Sequence, residues 1–331
     1  MEYYEKRDPP SNGNIPSKTD FLRAQNRVAL LMFIMLFIYF AANILLAVMV
    51  IVFPQIQQDN FRLELSSALL YLSYTVIPIF TFPLISGVKV RSYVSIGRGK
   101  KRTFLYGAAA LGVVYFAQLV TVLLSELFDR FGVSVSAGLE PGETDVKLFI
   151  LRIVYLCVFP AIFEELLTRG LVLGELLPYG KGFAIIASGA LFGLMHMNPL
   201  QIPFAFIAGT VMAYTVVSCG TVRVSVAVHF INNFLSVLFI SLPSFLPESA
   251  SFIIEAAVSA VIFAAGAVSA VYLIRHKEEE DRTERTALSV NVGEERKTDI
   301  RNFSHKCVSP ALYAYSAAAL SVAILLLFIG G

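Results

Sequence analysis

The chain has 331 residues, of which 56% are hydrophobic and only 15% charged, and its formal net charge is +2. Soluble domains usually carry about a quarter charged residues, so this composition excludes an ordinary soluble protein. Apolar runs of about 20 residues cross a bilayer as helices. The composition therefore predicts an all-α, polytopic transmembrane helical bundle in contact with membrane lipid. The near-neutral charge gives no support for a nucleic-acid partner.

Nine apolar runs predict about nine membrane spans, and eight spans remain an alternative because one run is short. The predicted spans are residues 28–53, 66–87, 103–128, 148–171, 182–198, 200–219, 222–242, 251–274 and 310–329. The first run is too long for the apolar part of a cleaved signal peptide and has no small-residue cleavage pattern, so we interpret it as a retained span. The fifth run is near the lower length limit for a crossing.

Positive charge alternates between the predicted loops. Lysine and arginine number five in residues 1–27, six in 88–102 and eight in 275–309, against one in 54–65, two in 129–147 and none in 243–250. By the positive-inside rule, this alternation predicts a cytoplasmic N-terminus and an external C-terminus. We therefore expect an integral, multi-pass protein, located in the plasma membrane if its source is bacterial.

The same pattern divides the chain into five parts. They are a cytoplasmic tail at 1–27, N-terminal transmembrane helices at 28–146, a core bundle at 147–275, a charged linker at 276–309 and a final transmembrane helix at 310–331. The linker mixes both signs of charge, which is typical of a solvated segment without a packed core. The three cysteines, at positions 157, 219 and 307, form no CxxC pair, which argues against a disulfide framework or a cysteine zinc site.

Charged side chains inside a span are costly and usually mark function. Glu126, Arg152, Arg223 and Glu255 lie near predicted helix ends, where their charges can reach the interface, and we interpret them as structural. Three polar groups remain within the core bundle, and each falls on a different predicted span.

The first group is "EELLTR" at residues 164–169. Glu165 and Arg169 are four residues apart, so on a helix they share a face and can form an ion pair. Glu164 lies about 100° around the helix and cannot easily share that arginine. The spacing predicts that Glu165 orients or stabilises the site, while Glu164 is left to act as a general base. The simpler alternative is a surface salt bridge at a helix end.

The second and third groups each contain a histidine. His196 follows Phe192 by four residues, and the small residues Ser188 and Gly189 allow another helix to come close. His229 precedes Asn233 by four residues on a third span, so an imidazole and an amide can donate to one point, as an oxyanion requires. Structural polar contacts between helices are the alternative for both groups.

Polar groups in a membrane must find one another, so the three spans are expected to face a common cavity. A general base, a histidine that shares its water and a pair of oxyanion donors suffice for amide hydrolysis. The residues therefore favour an intramembrane endopeptidase that acts on a membrane-associated peptide or protein.

At this point the sequence resembles the CAAX protease and bacteriocin-processing (CPBP) family of intramembrane proteases, and it is similar to type II CAAX prenyl endopeptidases. The family pattern is Glu-Glu-x-x-x-Arg, then Phe-x-x-x-His, then His-x-x-x-Asn. These motifs read "EELLTR" at 164–169, "FGLMH" at 192–196 and "HFINN" at 229–233. The resemblance covers about residues 147–240 and implies a helical bundle with a water-filled cavity.

The resemblance also implies roles for the motif residues. Glu164 and His196 would activate the attacking water, and His229 and Asn233 would stabilise the oxyanion. The remaining motif residues, Glu165, Arg169 and Phe192, would orient and hold the site.

Two mechanisms remain open for such a site, and we prefer the metal-free glutamate type, with no cofactor. The alternative is a zinc metalloprotease in which Glu164, His196 and His229 hold the metal, a chemically acceptable ligand set for catalytic zinc. No HExxH motif is present. A non-catalytic scaffold or bacteriocin-immunity-type protein of the same fold is the second functional hypothesis. A proton-coupled transporter is a third, but no pair of broken helices in matching halves supports it.

One expectation fits the predicted spans poorly. A span that starts at Lys147 on the outer side brings Glu164 about 25 Å along it, at 1.5 Å per residue. His196 lies a similar distance along the fifth span from the inner side. The two side chains share a depth only if the fourth helix continues past Arg169 or the fifth helix is short and tilted.

Overall fold

The computed structural model describes residues 17–87, 97, 99, 102–133, 144–288 and 308–329, with side chains to 276 and from 308 to 325. This part of the chain is helical and contains no β-strand. Its nine long helices are α1 (Lys18–Val52), α2 (Asn60–Ser86), α3 (Thr103–Arg130), α4 (Val146–Tyr179), α5 (Lys181–Leu194), α6 (Gln201–Cys219), α7 (Arg223–Ser241), α8 (Glu248–Leu288) and α9 (Pro310–Ile329). The predicted all-α bundle is therefore confirmed.

Seven of these helices are long and apolar enough to cross a membrane. Of the other two, α5 has only 14 residues. At 1.5 Å per residue it is about 21 Å long, shorter than the hydrocarbon core of about 30 Å. The predicted fifth span, 182–198, was wrong at its end, because the helix stops at Leu194 and His196 lies in the turn that follows.

Two helices extend beyond their predicted apolar runs. Helix α1 begins ten residues before Val28, where the Ser17 hydroxyl accepts from the Asp20 backbone N–H and the Asp20 carboxylate accepts from the Ser17 N–H. This reciprocal capping box starts a helix regardless of hydropathy. Helix α8 continues to Leu288, into the predicted linker, because Glu, Arg, Lys and Ala in residues 276–288 are strong helix formers. Residues 289–307 of the linker lie outside the described residues.

The depth problem of Glu164 and His196 is resolved by a helical hairpin. Helix α4 continues past Arg169 to Tyr179, and Gly180, with φ 132°, joins it directly to α5. Glu164 lies 15 residues before Tyr179, and His196 lies 15 residues after Lys181, by subtraction of their numbers. Glu164 is therefore about 22 Å from the shared end of the hairpin, and α5 stops about 20 Å from it, two residues before His196.

Helices α5 and α6 pack closely because glycine lies at their crossing. A Cβ atom at Gly189 would be 2.8 Å from the backbone nitrogen of Thr210 and 2.1 Å from its hydroxyl. Gly209 of α6 admits the Phe192 ring, whose Cδ1 would be 2.9 Å from a Cβ there. The buried Ser188 hydroxyl also donates to the Thr168 carbonyl, which ties α5 to α4. The predicted close approach at Ser188 and Gly189 is therefore present.

We expect Gly189→Ala to destabilise the bundle, because the new methyl group meets helix backbone that can move only with the whole helix. Overpacking of this kind costs about 1–3 kcal/mol. Thermal unfolding of the purified protein in detergent measures the effect. Gly182→Ala is the matched control, since a Cβ at Gly182 meets nothing within 4 Å; equal unfolding temperatures for the two variants would contradict the proposed packing.

Ion pairs and polar contacts join helix ends on two sides of the bundle. Arg152, near the start of α4, donates from Nε to Glu64 of α2 at 2.9 Å, and Tyr155 donates to the same carboxylate. At the opposite end of α4, Arg27 of α1 pairs with Glu175 at 2.8 Å. The structural interpretation of Arg152 is thus supported, although neither carboxylate partner was singled out from the sequence. The Cys157 and Cys219 side chains are buried.

Candidate active site

The centre of the candidate site is the ion pair that the four-residue spacing predicts. Arg169 Nη1 donates to Glu165 Oε1 at 2.8 Å, and both side chains are fully buried. The guanidinium also donates to the Thr168 hydroxyl and, from Nη2, to the Gly209 carbonyl of α6 at 3.1 Å. These contacts lie at the start of a π-helical stretch of α4, Leu166–Val172, a wide turn that often occurs at functional sites.

His229 of α7 lies between the two glutamates. Its Nδ1 is 2.9 Å from Glu165 Oε1, and its Nε2 is 3.9 Å from Glu164 Oε2. A carboxylate can only accept hydrogen bonds, so Nδ1 carries a proton. His229 therefore links α7 to both carboxylates of α4, a contact that the separate reading of each motif did not predict.

Phe192 joins the three motifs through its ring. The Arg169 guanidinium carbon lies 4.1 Å from the ring centroid, in cation–π geometry. The rings of His196 and His229 approach it edge-on, with centroids 4.9 Å and 5.8 Å away. The predicted orienting residue thus contacts one side chain from each motif.

His196 lies in the turn after α5 rather than on the helix. Its Nδ1 donates to the Phe192 carbonyl at 2.8 Å, because a carbonyl can only accept. In the neutral ring, Nε2 then carries the lone pair. The next residue, Met197, is fully buried with φ 51°, an uncommon conformation for a residue with a side chain. The buried Met197 and the Asn198 side chain, which accepts from the Leu200 N–H, fix this turn.

The separation of Glu164 from Arg169 suggested that Glu164 has no partner, but the structure gives it one. The Tyr71 hydroxyl of α2 donates to Glu164 Oε1 at 2.8 Å. Tyr71 packs edge-on against Tyr74, and Tyr74 packs in the same way against Tyr39 of α1. Sequence reasoning missed Tyr71, since its only signal was a tyrosine inside a predicted apolar span.

The Asn233 side chain forms hydrogen bonds with helix α4 and with the side chain of Asn232. Its Nδ2 donates to the Leu156 carbonyl at 2.8 Å, and its Oδ1 accepts from Asn232 at 3.1 Å. Leu156 lies in a π-helical stretch of α4, Ile153–Val158, and Pro160, four positions later, has no N–H to donate to its carbonyl. Asn232 in turn accepts from Gln118 of α3 at 2.9 Å. Neither Gln118 nor an orienting role for Asn232 was predicted.

The arrangement of these side chains bears on the zinc alternative. Among the residues that the structure describes, no three His, Cys, Asp or Glu side chains are grouped so that they could hold a metal ion. The His229 ring nitrogens point at carboxylates, at 2.9 and 3.9 Å. As arranged, these described residues do not fit a zinc centre.

We expect Tyr71→Phe to lower kcat about tenfold or more, because it removes a hydrogen bond to a charged group, typically worth about 1.5–3 kcal/mol. The aromatic packing should persist, so the amount of folded protein should be unchanged. Tyr74→Phe, which keeps the ring contacts of Tyr74 with Tyr71 and Tyr39, is the control and should behave like the wild type. Equal kcat values for the two variants would show that Tyr71 does not act on Glu164.

The fold and the site together define a class of protein: a polytopic helical membrane protein with a buried cluster of carboxylates, histidines and an arginine. A family model described as "Type II CAAX prenyl endopeptidase Rce1-like" matches residues 146–235. That segment contains all three motifs and confirms the resemblance predicted from them. Over it the chain is similar to a family of CAAX prenyl proteases, which supports a membrane-bound protease. No curated protein and no solved structure matches the chain.

Proposed function

We propose that the protein is an intramembrane endopeptidase in which Glu164 and His196 activate a water molecule that attacks a peptide carbonyl. The observation that carries the proposal is the convergence on Phe192, whose ring contacts Arg169, His196 and His229 from three separate motifs. Independent structural contacts between helices would not require one residue to contact all three.

The hydrogen bonds of His196 suit the role of a base. With its Nδ1–H donated to Phe192, the ring can take a proton only at Nε2. Glu164 accepts from Tyr71 at Oε1, and Oε2 remains the closer of its oxygens to His229. In the proposed reaction, a carboxylate and an imidazole share the proton of the attacking water, as general base catalysis requires.

His229 and Asn233 are the proposed oxyanion donors. Since Nδ1 of His229 donates to Glu165, Nε2 can donate only when the ring is an imidazolium. Its Nε2 lies 3.9 Å from Glu164 Oε2. Asn233 supplies a neutral amide N–H.

The proposed mechanism uses no metal, and this gives a direct prediction. Purified active protein should contain no stoichiometric zinc by elemental analysis, and it should keep its activity in EDTA and in phenanthroline. The control is the Glu164→Gln variant, which should have the same metal content. One zinc per chain, with activity lost on its removal and restored on its return, would replace the glutamate mechanism by the zinc alternative.

The proposed substrate is a membrane-associated peptide or protein, and no nucleic-acid partner is proposed. Similarity to CAAX prenyl endopeptidases makes lipid-modified C-terminal peptides the first candidates. An apolar groove of about 560 Å³ between α4 and α7 supports an apolar substrate. Ala161, Val226 and Phe230 line it, close in sequence to Glu164 and His229, and the exposed Arg223 lies at its edge.

The protein reconstituted in lipid vesicles should cleave an internally quenched CAAX peptide that carries a farnesyl group. The same peptide without the lipid, and a quenched transmembrane peptide, are the comparison substrates. Cleavage of any of the three that is absent with Glu164→Gln supports an endopeptidase, and the order of rates identifies the substrate class. Cleavage of none of them by the wild type would contradict the proposal and favour the scaffold hypothesis.

The proposed orientation has the N-terminus in the cytoplasm. Contacts between helix ends support the alternation of loop charges. Arg27 near the start of α1 meets Glu175 near the end of α4, and Gln25 accepts from the Ser309 N–H before α9. These three ends share one side of the bundle, as an alternating topology requires. Reporters at Asn291 and after Gly331 should report the cytoplasm and the outer side respectively, and a common side for both would refute this topology.

A further inference from the structure

Three amides form a hydrogen-bonded chain that crosses from α3 to α4 through α7. Gln118 donates to Asn232 at 2.9 Å, Asn232 donates to Asn233 at 3.1 Å, and Asn233 donates to the Leu156 carbonyl at 2.8 Å. Each amide has one oxygen edge and one NH₂ edge, so each could in principle be turned over.

The end of the chain fixes the direction of every link. The Leu156 carbonyl can only accept, so Asn233 must present NH₂ to it. Asn233 then presents its oxygen to Asn232, which must donate, and Asn232 presents its oxygen to Gln118. One N–H of the Asn233 amide donates to the Leu156 carbonyl, and because the amide is planar this also fixes the direction of its second N–H.

We propose that Gln118 is a positioning residue that fixes the Asn233 amide, through Asn232, so that its second N–H points at the carbonyl oxygen of the substrate. The proposal rests on the proposed function, in which Asn233 is an oxyanion donor. A donor contributes to rate only when it is already oriented toward the developing charge. Gln118 contributes by preventing Asn232 and Asn233 from turning over.

Two substitutions of Gln118 test this with the quenched peptide that the wild type cleaves fastest. Gln118→Met removes the first amide of the hydrogen-bonded series and keeps a similar side-chain volume. We expect kcat to fall about tenfold, which corresponds to the loss of one hydrogen bond, and KM to be nearly unchanged. Gln118→Glu has the same shape, but its carboxylate cannot donate to Asn232, so we expect a larger loss at neutral pH. A protonated carboxyl can donate, so the ratio of Gln118→Glu to wild-type activity should rise as the pH falls.

The matched control is Thr121→Val, one turn along α3, where a hydroxyl donates to the Leu200 carbonyl at 3.5 Å. It also removes a polar contact of α3, and it should leave kcat unchanged. In an Asn233→Ala background, Gln118→Met should have no further effect, since the amide that it positions is gone. If Gln118→Met lowers kcat by the same factor in the wild-type and Asn233→Ala backgrounds, the role of Gln118 is merely structural. The same follows if the ratio of Gln118→Glu to wild-type activity does not change with pH.

The two proposals fail in different ways. If Asn233→Ala loses activity while Gln118→Met has the wild-type kcat, the positioning role is refuted and the endopeptidase stands. If the wild type cleaves none of the peptides, both proposals are overturned.

Discussion

Glu164→Gln should reduce peptide cleavage by at least about 10²–10⁴-fold, the usual contribution of a general base. The amide keeps the size of the carboxylate and can still accept from Tyr71, so the protein should remain abundant and folded. It cannot take a proton from water, and this loss alone should stop the reaction. The measurement is kcat on reconstituted protein, beside its unfolding temperature.

The control for this change is Glu255→Gln. Glu255 is a carboxylate of the same type on α8, it is exposed, and it belongs to none of the three motifs. That variant should keep wild-type kcat. Full activity in Glu164→Gln, or an equal loss in both variants, would remove Glu164 from the role of base.

Arg169→Met and Glu165→Gln should each lower the amount of folded protein sharply, before any effect on catalysis. Removing one partner of a buried pair leaves an uncompensated charge and typically costs about 3–5 kcal/mol. Arg169 and Glu165 are both 0% exposed, so water cannot replace the lost partner. The measurement is the unfolding temperature in detergent, with the yield of monodisperse protein as a second readout.

The double variant separates the charge pair from local packing. When Glu165→Gln and Arg169→Met are combined, no charge is stranded, so folding should recover relative to Arg169→Met alone. Arg62→Met is the exposed control: its pair with Asp59 is 61% and 46% exposed, and such pairs contribute about 0–1 kcal/mol. A double variant as unstable as the sum of the single variants would show that the pair is not coupled.

The sequence predicted the parts of the site that lie within one helical turn of each other. Glu165 and Arg169 are four residues apart on one helix, and helical geometry alone brings such side chains together. Phe192 and His196 are also four residues apart, and they remain in contact although His196 lies in the turn after α5. The same argument separated Glu164 from Arg169. Charge counts in the loops and the lengths of apolar runs predicted the helical bundle, although α1 and α8 extend beyond their apolar runs because capping and helix propensity ignore hydropathy.

Contacts between distant helices could not be obtained in this way. Tyr71 lies 93 residues before Glu164, and Gln118 lies 114 residues before Asn232, so only tertiary packing brings them together. One signal was present but unused: Pro160 has no N–H for the Leu156 carbonyl four residues earlier, which marks that carbonyl as a candidate acceptor for a side chain of another helix. Asn233 donates to that carbonyl.

The central claim is that this cluster of side chains hydrolyses a peptide bond with water activated at Glu164. Mass spectrometry of peptide products, formed in water enriched in oxygen-18, tests it most directly. With reconstituted wild-type protein, we expect two product peptides and the heavy isotope in the new carboxyl group, and with Glu164→Gln we expect only intact peptide. Intact peptide with both proteins, or identical labelled products from both, would contradict the account.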